Sequence, residues 1–126
     1  MEEQAKILIV DDEVNVLNSL MRVLRIDGYD VTAVDSPKKA LEKLEGKNFN
    51  VVISDLKMPN MDGIEFLSLA AELYPKTIQI LLSGNANSDD VLKAMKYCEI
   101  VEFVAKPWNS DDLRSLIAEL VEQQAA

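Results

Sequence analysis

The chain has 126 residues, with 13 basic side chains against 22 acidic ones and no histidine, giving a formal charge of −9. That length suits one domain, and 48% hydrophobic residues with four Gly and four Pro exclude a disordered or fibrous chain. The acidic balance argues against binding nucleic-acid phosphates or anionic lipid. A single cysteine, Cys98, without histidine rules out a Cys/His zinc site, a Ser-His-Asp triad and a disulfide framework. Any chemistry must therefore use carboxylates, hydroxyls or lysine.

In chain order, the polar Met1–Lys6 is followed by a short apolar run, Ile7–Val10, which reads as a strand. Val14, Leu17, Met21 and Leu24 then recur at helical spacing up to a stop at Gly28. Val31–Val34 is a second strand, and Ser36 caps a weaker helix over Pro37–Glu45 that carries Ala40, Leu41 and Leu44. Val51–Ile53 is the third strand, and Ile64, Leu67, Ala71 and Tyr74 mark the next helix. Ile78–Leu82 is the fourth strand, Val91, Met95 and Cys98 a fourth helix, Ile100–Ala105 the fifth strand and Leu113, Leu116 and Leu120 the last helix. There is no internal repeat, linker or low-complexity segment before Gln123. No apolar run approaches the roughly 18 residues of a membrane span, so a cytoplasmic protein is expected.

Five strands alternating with helices predict a parallel sheet, right-handed crossovers and helices on both faces. Interior strands of such a sheet are almost continuously apolar. The first and third are so, and the fourth is except at Gln79, whereas the second carries Thr32 and the fifth Glu102, as edge strands can. The order 2-1-3-4-5 puts those two at the edges. This is the flavodoxin-like doubly wound (βα)5 fold, whose crevice opens at the carboxyl ends of strands one and three. Asp11, Asp12 and Asp55 stand at those ends.

Three carboxylates in one crevice repel by several kcal/mol at roughly 4–6 Å. Mg²⁺, a hard cation that takes one or two carboxylates, a carbonyl and waters, is the natural compensation, with Mn²⁺ as a substitute. Taken alone, Asp11-Asp12 also suits helix capping and Asp55 a loop. Ser83-Gly84-Asn85 after strand four and Lys106-Pro107 after strand five end at the same rim. A hydroxyl and an ammonium beside a metal-bound carboxylate are the groups that surround a phosphoryl group under carboxylate attack. Singly, Ser83 also reads as a turn residue and Lys106 as a solvated strand-end charge.

Four segments together resemble the response-regulator receiver domain of two-component systems: Ile7–Glu13 (ILIVDDE), Asp55–Gly63 (DLKMPNMDG), Leu82-Ser83-Gly84 and Phe103–Pro107 (FVAKP). The likeness covers the whole chain, 1–126, as one receiver domain similar to chemotaxis regulators. It implies that Asp55 is the phosphoacceptor and that Asp12, Asp55 and the Lys57 carbonyl ligate Mg²⁺, with Asp11 acting through a coordinated water. It also implies that Lys106 pairs with the acceptor and then with a phosphoryl oxygen, that Ser83 and Phe103 are the switch pair, and that the bond before Pro107 is cis. Lys57 and Asn85, each two positions past a site residue, are expected to set phosphoryl lifetime.

Ser83 stands where threonine is commoner in the family, which keeps the donor and loses the β-branch that restricts its rotamer. Trp108 stands where phenylalanine is commoner, either as an anchor for the last helix or as a partner contact. The implied function is a switch, not an enzyme: a sensor histidine kinase, a histidine phosphotransfer protein or a small acyl phosphate phosphorylates Asp55. The surface of the Val91–Cys98 helix, the fifth strand and the last helix then changes to control an output domain or downstream protein.

Three rivals stand beside this reading. An Mg²⁺-dependent aspartyl-nucleophile phosphatase resembling haloacid dehalogenases needs an acid two residues past its nucleophile, where this chain has Lys57. A nucleotide-binding module wants a glycine-rich turn where Asp11-Asp12-Glu13 stands. A degenerate receiver acting only as an interaction module would have lost some of the acidic, hydroxyl or lysine positions.

Overall fold

Near-continuous apolar runs in the interior strands leave two faces of the sheet to cover, and among the described residues two helices cover one and two the other. In the computed structural model, which describes residues 4–55, 63–84, 89, 92, 96 and 100–125, the order is β1 (Lys6–Val10), α1 (Val14–Ile26), β2 (Asp30–Val34), α2 (Pro37–Gly46), β3 (Val51–Asp55), α3 (Gly63–Leu73), β4 (Ile78–Ser83), β5 (Ile100–Ala105) and α4 (Ser110–Ala125). All pairings are parallel and the sheet order is β2-β1-β3-β4-β5, as the edge polarity predicts. Of the predicted Val91–Cys98 helix only Leu92 and Lys96, with Asp89 before it, are described, all three helical and exposed; Val91, Met95 and Cys98 lie outside the described residues.

Leu8, Val10, Val52 and Leu81 turn to one face and pack with Ala40 and Leu44 of α2 and Phe66, Leu67 and Ala70 of α3. Ile7, Ile9, Val51, Ile53, Ile80 and Leu82 turn to the other and meet Leu17, Leu20 and Leu24 of α1 and Leu113, Ile117 and Leu120 of α4. Burial of such side chains stabilises by roughly 1.5–3 kcal/mol each, which is what holds helices this short. Local chemistry sets their ends. Ser36 Oγ accepts the Lys39 N–H at 3.3 Å with Pro37 at the first helical position, and Asn109 Oδ1 accepts the Asp112 N–H at 3.0 Å. Gly28, at φ 82°, supplies the left-handed turn after α1.

The helical faces differ from the sequence expectation by one position in three places. In α1 Leu20 takes the core position expected of Met21, which is only partly buried, and Val14 is exposed. In α3 the buried stripe is Gly63, Phe66, Leu67 and Ala70, with Ile64 and Tyr74 at its margin, rather than one centred on Ala71. In α4 Ile117 is buried and Leu116 lies at the edge. Each helix carries more apolar residues than one stripe needs, so two registers of the 3.6 period fit the letters and packing decides between them.

Strands β3 and β4 run further than their apolar runs, ending on Asp55 and Ser83. This extension fixes both side chains on the sheet itself.

Candidate functional site

The carboxyl ends of β1 and β3 lie side by side, with Val10 opposite Ser54, and this register brings the acidic residues together. Asp11, Asp12 and Asp55 each present a carboxylate oxygen within 4.8 Å of the others. Asp11 is fully buried, Asp55 is half-buried and Asp12 is exposed. The backbone holds the deepest of them: Asp11 Oδ1 accepts the Glu13 N–H at 2.8 Å, and the Asp11 N–H donates to the Val34 carbonyl at 3.3 Å. Ser54, wholly buried beside Asp55, donates its hydroxyl to the Asp55 carbonyl at 2.9 Å.

Lys106 arrives from the end of β5, where its N–H donates to the Ser83 carbonyl at 2.8 Å and the bond to Pro107 is cis. Its Nζ lies 3.0 Å from Asp11 Oδ2 and 3.2 Å from Asp55 Oδ1, so it bridges the two carboxylates. Burial disfavours the ammonium, but the hydrogen bond to Asp11 and the fields of Asp55 and Asp11 outweigh it and hold Lys106 above the ordinary lysine range. Among the described residues, this one ammonium offsets one of three negative charges. A divalent cation fits the remainder, because the oxygen-only donor set is the kind a hard cation takes.

Ser83, nearly buried, closes β4 at the same rim and pairs in register with Ala105. Phe103 lies opposite Leu81 and packs, half-buried, on the core face under α2 and α3. Trp108 packs against the opposite face of the core, the anchor role, while its remaining surface lines a groove of about 400 Å³ with Ser19, Arg22 and Val23. Lys57 and Asn85 lie outside the described residues. Two site features carry no signal in the sequence, namely the Ser54 hydroxyl on the Asp55 carbonyl and the second arm of Lys106 onto Asp11, 95 residues away.

A family model described as the response regulator receiver domain matches residues 7–118. The hydrogenase transcriptional regulatory protein HoxA of Bradyrhizobium diazoefficiens is 34% identical over 122 residues, 97% of this chain and 25% of that protein. The transcriptional regulatory protein FixJ of the same organism is 32% identical over 124 residues, 98% of this chain and 60% of that one. The chain thus spans about a quarter of HoxA and less than two thirds of FixJ. Among solved structures, the signal receiver domain of an HD domain-containing protein from Pseudomonas fluorescens superposes with a TM-score of 0.94 at 29% identity, over 99% of this chain and 92% of that one. A CheY-like receiver domain protein from Methanospirillum hungatei gives 0.91 at 31%, over 98% of each chain. Receiver domains act as phosphoacceptor switches, bind Mg²⁺ at an acidic pocket and work with histidine kinases and output domains. The acidic crevice lies at the switch point of a 2-1-3-4-5 sheet, and with the receiver-domain model matching residues 7–118 the chain belongs to the response regulator receiver domain family.

Proposed function

We propose that residues 1–126 work as one receiver domain in the cytoplasm, accepting a phosphoryl group on Asp55 and passing the change to an output domain or downstream protein. The observation that carries this reading is the triad of carboxylates around Lys106 Nζ, with Asp55 more open than Asp11. A carboxylate oxygen of Asp55 attacks phosphorus in a phosphohistidine or acyl phosphate. The P–N or P–O bond breaks, imidazole or carboxylate leaves with the bonding pair, and Asp55 holds an acyl phosphate. Asp11 and Asp12, with Asp55 and the Lys57 carbonyl, would hold Mg²⁺, or Mn²⁺ in its place, which supplies Lewis-acid neutralisation of the phosphoryl oxygens.

Lys106 exchanges its bond to Asp55 for one to a phosphoryl oxygen, and the Ser83 hydroxyl donates to another. Those bonds exist only after transfer, so they bias a two-state equilibrium in which Phe103 and Ser83 move together. A shift from 1:99 to 99:1 requires a bias of about 5.5 kcal/mol. Lys57 and Asn85 tune how long the phosphoryl group lasts. The donor is a sensor histidine kinase or a histidine phosphotransfer protein, and the chain itself binds no nucleic acid or membrane. None of the described helices is long and apolar enough to cross a bilayer.

Incubation with acetyl phosphate and Mg²⁺ should add one phosphoryl group by intact mass, and Asp55→Asn should remove the addition completely. Undiminished modification of that variant would sink the assignment.

A further inference from the structure

Gln79 lies in β4 with 1% of its surface exposed, and neither Nε2 nor Oε1 has a hydrogen-bond partner among the described residues. Burying an amide unpaired is unfavourable, whereas leucine or methionine there would leave no polar atom orphaned. Such a group calls for an explanation in terms of its surroundings. Gln79 faces Val52 on β3, a residue of the core under α2 and α3. The strand period puts Leu81 and Ser83 on the same side of β4. Phe103 sits opposite Leu81, so the amide lies at the lower end of the face that carries both switch residues.

The register between β4 and β5 breaks at this point. Gln79 pairs with Ile100 while Ile80 pairs with Glu102, which leaves Val101 as an extra residue in β5. A bulge of this kind takes backbone groups out of the ladder. The orphaned amide and the irregularity in β5 therefore lie at the same level of two neighbouring strands.

We propose that Gln79 is a built-in bias of the switch: its amide is orphaned in the arrangement seen here and hydrogen-bonds the β5 backbone at the Val101 bulge in the phosphoryl-bound arrangement. The inference rests on the phosphoacceptor reading above, and it adds a residue remote from the crevice. An orphaned amide raises the free energy of the resting arrangement, so the phosphoryl group has less to overcome than with an apolar side chain at this position.

The test uses Gln79→Leu and Gln79→Met in the full chain, with beryllofluoride and saturating Mg²⁺ as the phosphoryl mimic and Trp108 emission as the readout. Expected are a higher Tm without beryllofluoride in both variants and an apparent affinity for it weakened about tenfold. The Met variant, close to Gln in length, keeps the test open if branching at Leu disturbs the fold. Unchanged beryllofluoride affinity with Tm raised equally in both states overturns the inference, as does a lower Tm of both unliganded variants, which would mean that the amide is already bonded. A wild-type chain that does not bind beryllofluoride overturns the phosphoacceptor reading and this inference with it. Wild-type binding with an unchanged ratio overturns the inference alone.

Discussion

The two rims of this sheet are built from opposite chemistry. At the carboxyl ends, Asp11, Asp12 and Asp55 crowd around Lys106, and charge is left to be balanced by something from outside. At the amino ends the junction of β1, β3 and α4 is made by neutral amides and backbone groups, among the described residues. The Asn50 side chain accepts the Lys6 N–H at 2.8 Å and donates to Gln124 Oε1 at 2.9 Å. The Asn50 carbonyl takes the Ile78 N–H at 3.0 Å and Gln124 Nε2 at 3.1 Å, and that same amide nitrogen reaches the Lys76 carbonyl at 2.8 Å. One rim is closed by its own bonds and the other keeps a surplus of negative charge. On the proposed function, stability and switching are separated by the length of a strand.

The largest expected effect tests the closed rim. Asn50→Ala leaves the Lys6 N–H and Gln124 Oε1 without their Asn50 side-chain partner, while the bonds from Gln124 Nε2 to backbone carbonyls remain, so urea unfolding should show a loss of about 2–3 kcal/mol. The phosphorylated fraction of the folded protein should not change. A variant that lost phosphorylation in proportion to its stability would show that the two rims are not separate.

The open rim should respond with a change of sign. Mg²⁺ at one hundred times its dissociation constant should stabilise the wild type by about 2.7 kcal/mol, since it binds the folded state. Asp12→Asn removes the exposed carboxylate and leaves both ion pairs of Lys106 in place. Without metal it should therefore gain about 1 kcal/mol by relief of repulsion, and with Mg²⁺ it should fall below wild type for want of a ligand. Melting curves in chelator and in saturating Mg²⁺ decide this. Loss of stability in both conditions would mean that Asp12 is a capping residue.

The open rim was legible in the sequence and the closed one was not, for a physical reason. Asp11-Asp12 and Asp55 stand just past the apolar runs of strands one and three, and the strand order forces such ends together, so adjacency could be read from letters alone. Asn50 and Gln124 are 74 residues apart, amides without periodicity or charge, and nothing local marks them as partners. The register slips at Met21, Ala71 and Leu116 share a cause: surplus apolar residues leave the buried stripe to be chosen by packing. Gln79 did stand out as the one polar letter in strand four, but only burial shows its amide to be orphaned.

pH should act on the molecule from both ends of the scale, with smaller amplitude. Arg114 grips Asp27 through two bonds, Nε at 3.0 Å and Nη2 at 2.7 Å, tying the end of α1 to α4. The Arg114 hydrogen bond, with the attraction of its charge, holds the Asp27 carboxyl below its ordinary value of 3.8 against the opposing effect of burial. Its contribution is therefore complete above that value and lost as pH falls through the depressed one. Lys106 is shifted upward, so its contribution is complete below 10.5 and lost as pH rises beyond it. Asp27→Asn should cost no more than about 1 kcal/mol at neutral pH and low salt, because the pair is partly exposed, and should flatten the acid limb below pH 4 alone. An unchanged acid limb in that variant would remove the clamp from the account.

The smallest effect asks whether the open rim is a switch or only a binding site. Trp108 is the chain's only tryptophan, two residues past Lys106 and packed half-buried against the core. Mg²⁺ should change the charge around Lys106, and on the proposed function phosphorylation also draws Ser83 and Phe103 toward the phosphoryl group, so two separable changes in emission are expected. Ser83→Ala removes the hydroxyl and leaves all three carboxylates and Lys106 in place. The Mg²⁺-dependent change should persist at full amplitude in that variant, and the phosphorylation-dependent change should shrink, because only the second depends on a hydroxyl bonded to a phosphoryl oxygen. If both persist, with phosphorylation verified by mass, Ser83 is a strand-end residue and the switch runs through Lys106 alone.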